Sequence, residues 1–157
     1  MNNYFAVSHL TQLSALEVHK LYKLRVDVFV HEQRSPYAEI DDIDALPTTN
    51  HMQAWDSDKH LLGTARLYPE NDRWHLGRVC VAKPYRGTGL GAEIMHQTLR
   101  LAFEQNPEFD VFIEAQEQHL KFYENLGFKA TGEAFDLDGV SHVPMLLKAD
   151  ELAAMFA

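Results

Sequence analysis

Residues 83–91 read K-P-Y-R-G-T-G-L-G, with Gly87, Gly89 and Gly91 close together and Arg86 ahead of them. Glycine lets backbone amides approach an anion with no Cβ in the way. The first turn of a helix has unpaired N–H groups, and its dipole favours negative charge there. Arg86 can add a charge-assisted contact. The chemistry on offer is phosphate binding, mostly by main chain. A plain strand-to-helix turn would need one glycine, not three and an arginine. The P-loop pattern G-x-x-x-x-G-K-[ST] is absent, because Ala92 and Glu93 follow Gly91. Gly87, Gly89 and Ala92 do satisfy a loose G-x-G-x-x-A dinucleotide pattern. Against that rival, Glu114 lies 27 residues after Gly87, where the acidic partner belongs about 20 on.

Other reactive side chains carry weaker signals. Cys80 is the only cysteine, so no intrachain disulfide forms. It sits in the β-prone run V-C-V and reads as a small buried hydrophobe rather than a nucleophile. His51, His60, His75 and His119 are scattered, and no metal-ligand spacing is present. Asp41, Asp42 and Asp44 lack the glycine and terminal Glu of a calcium loop. They read as a solvated loop or one wall of an amine-binding cleft.

The elements that must hold these residues follow from pattern. Ser14-Ala15-Leu16-Glu17 has capping-box spacing, and Leu21, Leu24 and Val28 continue it, which predicts a helix over 15–30. Residues 31–49 lose periodicity and carry Pro36 and Pro47, as a binding loop would. Strands are predicted at 4–7, 51–55, 61–68, 74–82, 110–115, 128–134 and 142–147, with Asp138-Gly139 as the last turn. Helices are predicted over 90–103 and 119–126, the first marked by Leu90, Ile94, Leu101 and Ala102. The order predicts an α+β fold. Its sheet is mostly antiparallel, with one parallel step between strands 74–82 and 110–115. The antiparallel strands ahead of the loop do not suit a doubly wound dinucleotide sheet.

Length and charge bound the function. The chain's 157 residues suit a single domain over 1–157. Fourteen basic and 23 acidic residues give a net charge of −9, which argues against a general nucleic-acid binder. There is no apolar run of about 18 residues, and M-N-N-Y-F-A-V lacks the pattern of a signal peptide. The expectation is a soluble cytoplasmic protein with no membrane partner.

Read as R-x-x-G-x-G, with V-C-V at 79–81 before it, the loop resembles the acyl-CoA loop of the GNAT superfamily of N-acetyltransferases. Gln116, seven positions before Tyr123, and L-G-F at 126–128 match a second motif of that family. Five further segments resemble its ElaA-like branch and cover most of residues 20–145. They are L-Y-K-L-R-V-D-V-F-V-H-E-Q, P-Y-A-E-I-D, G-R-V-C-V, A-Q-E-Q-H-L-K-F-Y-E-N-L-G-F and D-G-V-S-H-V-P-M. That branch often has Cys before P-Y, where this chain has Ser35.

The resemblance implies a three-layer α/β/α fold and direct attack of an amine on acetyl-CoA in a ternary complex. A non-catalytic acyl-CoA-binding module of the same fold is the alternative, with a dinucleotide domain behind it. The implied cofactor contacts are Val79, Cys80, Val81, Arg86, Gly87, Thr88, Gly89, Leu90, Gly91, Ala92, Gln116, His119 and Tyr123. Tyr123 is the candidate acid for the leaving thiolate, and an amide near Val81 the candidate oxyanion donor, freed by a local widening of the sheet. Glu32, Glu114 and His142 are candidate bases, with a water chain as a further route. His31, Glu32, Gln33 and Tyr37 are the expected lining of the acceptor site. No metal is expected. The partner is an amine of a small molecule or peptide, and the assembly state is left open, a homodimer included.

Overall fold

Ser14 opens the first helix as its spacing predicts. Its hydroxyl accepts from the Glu17 amide at 3.1 Å, and Glu17 accepts from the Ser14 amide at 2.8 Å. The computed structural model describes residues 3–156. Helix α1 (Ala15–Arg25) runs on into π-helical turns over Val26–Glu32, so one rod covers the predicted helix. The π turns reposition the chain that leads into the long loop, and such turns often mark functional sites.

Eight strands form one sheet: β1 (Tyr4–Ser8), β2 (Asn50–Trp55), β3 (Leu61–Glu70), β4 (Arg73–Val81), β5 (Val111–Gln116), β6 (Lys129–Ala130), β7 (Phe135–Leu137) and β8 (Val140–Leu147). Their order is β1-β2-β3-β4-β5-β8-β6, and β7 also pairs with β8. Every pairing is antiparallel except β4 with β5, the predicted parallel step. That step is short. Only Trp74 with Val111 and His75 with Phe112 are in register, and beyond them the two strands part.

Helices cover both faces. Alternation along β4 sends Cys80 toward Leu24, Val28 and Phe29 on the α1 side. Val79 and Val81 pack on the other side, against a cluster containing Leu90 and Ile94 of α2 (Leu90–Gln105). The main core lies on that same side. It joins Met95, Leu99 and Ala102 of α2 to Val111, Ile113, Met145 and Leu147 of the sheet. The buried stripe of α2 is therefore wider than predicted: it includes Met95, Thr98 and Leu99, while Leu101 is only half-buried. Two further helices lie on this side, α3 (Leu120–Asn125) and α4 (Ala149–Phe156). No helix among the described residues is long and apolar enough to cross a membrane.

Two differences from the sequence reading have physical causes. The predicted strand over 128–134 shrinks to Lys129–Ala130. The Pro144 carbonyl accepts from the Thr131 amide, so this residue turns its backbone to the outer edge of β8. Proline offers no N–H there, and the outer ladder breaks into β6 on one side and β7 on the other. Helix α4 was outside every predicted element. Its first turn is capped from a distance, by Asp110 accepting from the Ala149 amide at 2.7 Å. The tight turn at Asp138-Gly139 is as predicted, both residues having positive φ (51° and 88°).

Candidate active site

A cleft of about 340 Å³ opens where β4 and β5 part. Opposite this opening β4 bulges: Thr64 pairs with Cys80 but Arg66 pairs with Gly77, so β4 holds one extra residue. Arg78 sits in the bulge with φ of 53°, a strained value for a non-glycine residue. The Ala82 amide donates to the Leu62 carbonyl. Strand alternation therefore turns the Val81 peptide away from β3, toward the splayed side. The predicted widening is present, but it lies at 77–80, before Val81 rather than at it.

The glycine loop stands at the outer end of β4 and leads into α2. The first helical bond runs from the Glu93 amide to the Gly89 carbonyl at 3.1 Å. The amides of Leu90, Gly91 and Ala92 precede it and have no carbonyl within the helix to bond. Gly87 and Gly89 have φ of 77° and 86°, and a Cβ at either would meet nothing within 4 Å. Their need for glycine is conformational, and the side of the loop a Cβ would occupy is open. These features fit an anionic pyrophosphate group held by main chain.

Arg86 is already engaged. Its guanidinium makes a bidentate pair with Glu32 at 2.8 and 3.1 Å, and its Nε donates to the Val81 carbonyl at 3.0 Å. Glu32 is thus held by Arg86, whose hydrogen bond lowers its carboxyl below the ordinary range. That makes it a poor proton acceptor, and neither it nor His31 lines the cleft. Cys80 is the small buried hydrophobe that its strand suggests. Its side chain faces α1, and burial pushes its thiol up to about 12. Only its backbone remains as a cofactor contact.

Of the other predicted residues, Gln33, Tyr37, Val79, Glu114, Gln116, His119, Tyr123 and His142 all line the cleft. Gln116 donates to Gln33 at 3.0 Å and so ties the end of β5 to the loop after the π turns. Tyr123 packs edge-on to Phe122 and Phe128, and burial pushes its phenol up to about 12. It therefore stays protonated at neutral pH, as an acid must. His142 is buried, and its Nδ1 lies 2.9 Å from the Val140 carbonyl. A carbonyl only accepts, so Nδ1 carries the hydrogen of this bond, which leaves Nε2 as the ring nitrogen able to accept one.

The far wall includes Asp41 of the acidic cluster, and behind it lies an ionic network that the sequence reading does not contain. Asp44 is fully buried and receives Arg25 through both guanidinium nitrogens, at 2.7 and 3.1 Å. Arg66 adds contacts to Asp44 at 3.1 Å and Asp41 at 2.8 Å. Arg25 and Arg78 both reach Glu39, at 2.8 and 3.1 Å. Asp44 and Asp41 thus belong to a largely buried ionic network, while Asp42 stays exposed as a solvated loop residue would. Burial raises Glu39 despite Arg78 and Arg25. For Asp44 burial acts the same way, but Arg25 and then Arg66 outweigh it and hold the carboxyl below the ordinary range. A usable signal did exist: Arg66 and Arg78 interrupt apolar strands, and a charge in such a place needs partners.

The comparisons with known proteins agree with this geometry. The pattern described as "Acetyltransferase (GNAT) domain" matches residues 12–149. The chain belongs to the GNAT acetyltransferase family. Among its GNAT relatives, Protein ElaA of Escherichia coli K12 is 33% identical over 140 residues, covering 87% of this chain and 91% of the relative. The crystal structure of E. coli ElaA superposes with a TM-score of 0.86 at 31% identity, over 93% of this chain and 99% of that one. An acyl-CoA N-acyltransferase from Pseudomonas aeruginosa gives 0.87 at 31% identity, with the same coverage. The GNAT sheet, with its single parallel step, is not the doubly wound sheet of the dinucleotide alternative.

Proposed function

We propose that residues 1–157 form one catalytic domain that moves the acetyl group of acetyl-CoA to an amine of a small molecule or peptide, in a ternary complex. The observation that carries this reading is the cleft between β4 and β5 with a protonated Tyr123 on its wall, β4 itself running on to a loop whose first helical amides have no partner within the helix. The family and the acyl-CoA N-acyltransferase among its structural relatives support acyl transfer. When bound, acetyl-CoA supplies a thioester whose acyl carbon accepts the amine's lone pair.

In this reading, Gly87–Ala92 hold the pyrophosphate through their amides. The peptides of Val79 and Val81 bind the pantetheine arm, and a β4 amide beside the bulge donates to the oxyanion. Gln116 and His119 flank the arm from the end of β5. His142 takes the amine's proton at Nε2 as the N–C bond forms. Tyr123 gives its proton to the sulfur as the C–S bond breaks, and solvent returns the proton from His142 to Tyr123. Gln33 and Tyr37 line the acceptor side.

Thiol release from acetyl-CoA across an amine library tests the proposal. Amine-dependent release is expected. Tight acetyl-CoA binding with silence toward every amine would favour a binding module instead. Thermal shift adds the cofactor test: acetyl-CoA at 100 times its dissociation constant should stabilise by about 2.7 kcal/mol. Stabilisation by NADH alone would contradict the reading.

A further inference from the structure

Phe112, Glu114 and Gln116 alternate along β5 on the α1 side, opposite the buried Val111, Ile113 and Ala115. Glu114 lines the cleft, and among the described residues no ion pair or hydrogen bond occupies its carboxylate. The other charges on this wall neutralise one another. Arg25, Arg66 and Arg78 are matched by Glu39, Asp41 and Asp44. Glu114 is therefore the unpaired carboxylate facing the acceptor space among the described residues, while the Arg73 guanidinium rests on the Phe112 ring at 3.8 Å.

Its surroundings suit a cation. Phe112 meets His75 edge-on at 5.3 Å, and His75 stacks on Tyr68 at 5.2 Å, all three rings lining the cleft. Burial lowers the pKa of His75, which favours its neutral ring. Cations already rest on two of these rings, Arg73 on Phe112 at 3.8 Å and Arg66 on Tyr68 at 5.4 Å, so a further ammonium group is drawn chiefly by the charge of the carboxylate. The base assigned above stands further along the same strand pair. His142 is opposite Gln116, and Pro144 is opposite Glu114. Two residues of strand separate the positions by about 7 Å.

Resting on the acyl-transfer reading, we infer that the acceptor is a linear diamine or aminoalkyl cation, with its attacking nitrogen at His142 and its distal ammonium on Glu114. A span of about 7 Å along the strand corresponds to a linker of about four or five carbons. Pairing the distal charge with Glu114 also leaves the near nitrogen free to lose its proton, since only one of the two needs to stay cationic.

The test uses putrescine, cadaverine and the matched monoamines butylamine and pentylamine. Each is titrated by calorimetry into the protein saturated with CoA, and each is assayed for thiol release from acetyl-CoA. Diamines should bind at least about tenfold tighter than matched monoamines, as a hydrogen bond to a charged group predicts. Glu114→Gln should collapse that ratio to within about threefold. Glu114→Asp should keep the ratio and move the optimum to a longer diamine. Unchanged thermal melting and CoA affinity would show that both variants are folded. Equal binding of monoamines and diamines, or an advantage that survives Glu114→Gln, overturns the inference. Thiol release with monoamines favoured equally would do so while leaving acyl transfer intact. Selective diamine binding with no thiol release would sustain the acceptor site and overturn the transferase reading.

Discussion

On the α2 side of the sheet, the consecutive residues Gly87–Ala92 offer main-chain groups and almost no side chain. On the α1 side, the wall is held by side chains spread from Arg25 to Arg78, buried and paired with one another. The first construction tolerates solvent and depends on backbone dihedrals. The second excludes solvent and depends on every partner being present. The first can hold a ligand through groups that every residue carries, whereas the second depends on the identity of each side chain in it.

Breaking the side-chain wall should have the largest effect. Asp44→Ala leaves Arg25 buried without its bidentate partner. Removing one partner of a buried pair costs about 3–5 kcal/mol, to be read from urea denaturation. A loss under 1 kcal/mol would show that the network contributes little. The pH dependence has a definite sign. Asp44 is depressed in the fold, so its contribution is present above its ordinary pKa of 3.8 and is lost as pH falls through the lower folded value.

Next in size is Tyr123, on the wall between the two constructions. Tyr123→Phe should lower turnover by about 10²-fold, with acetyl-CoA affinity little changed. An unchanged rate removes Tyr123 from the acid role. A difference titration at the phenolate absorbance band, parent minus variant, should show one phenol ionising near 12 rather than 10. The neutral phenol is favoured in the fold, so its contribution is whole below pH 10 and fades as pH rises through 12.

The backbone wall should respond to dihedral strain rather than to lost contacts. Gly89→Val has room for its side chain but a φ of 86° to adopt. A strain of about 1–3 kcal/mol is expected, expressed as an acetyl-CoA affinity lower by about tenfold. Intact affinity would undo the loop assignment. The smallest effect belongs to Glu32→Gln. It frees the exposed Arg86 guanidinium and should tighten acetyl-CoA binding by no more than about threefold at low salt, fading as salt rises. Weaker binding would mean that Glu32 instead holds Arg86 in its working position.

The same contrast explains what could be read from sequence. The capping box at Ser14 and the V-C-V, glycine-loop and Gln116–Tyr123 motifs are local and legible in order, and the parallel step followed from the order of the elements rather than from any one segment. The splay between β4 and β5 was expected only as a local widening near Val81, and its start was not legible, because it is set by pairing that stops after His75 and Phe112. The ionic network was missed for a similar reason. Asp41 and Asp44 look like loop acids until Arg25 and Arg66 are brought beside them from a helix and a strand. Helix α4 was unread because its cap, Asp110, comes from the loop before β5. Long-range partners decide each of these, and no window of sequence contains them.

The central claim is that the backbone loop, and not the ionic wall, receives the cofactor. An amide NMR titration with acetyl-CoA tests it directly. Large shifts are expected at Gly87 to Ala92 and at Val79 to Val81, with the amides of Asp42 to Ala45 nearly still. Shifts centred on the ionic wall, or a glycine loop silent to acetyl-CoA but responsive to NADH, would contradict it.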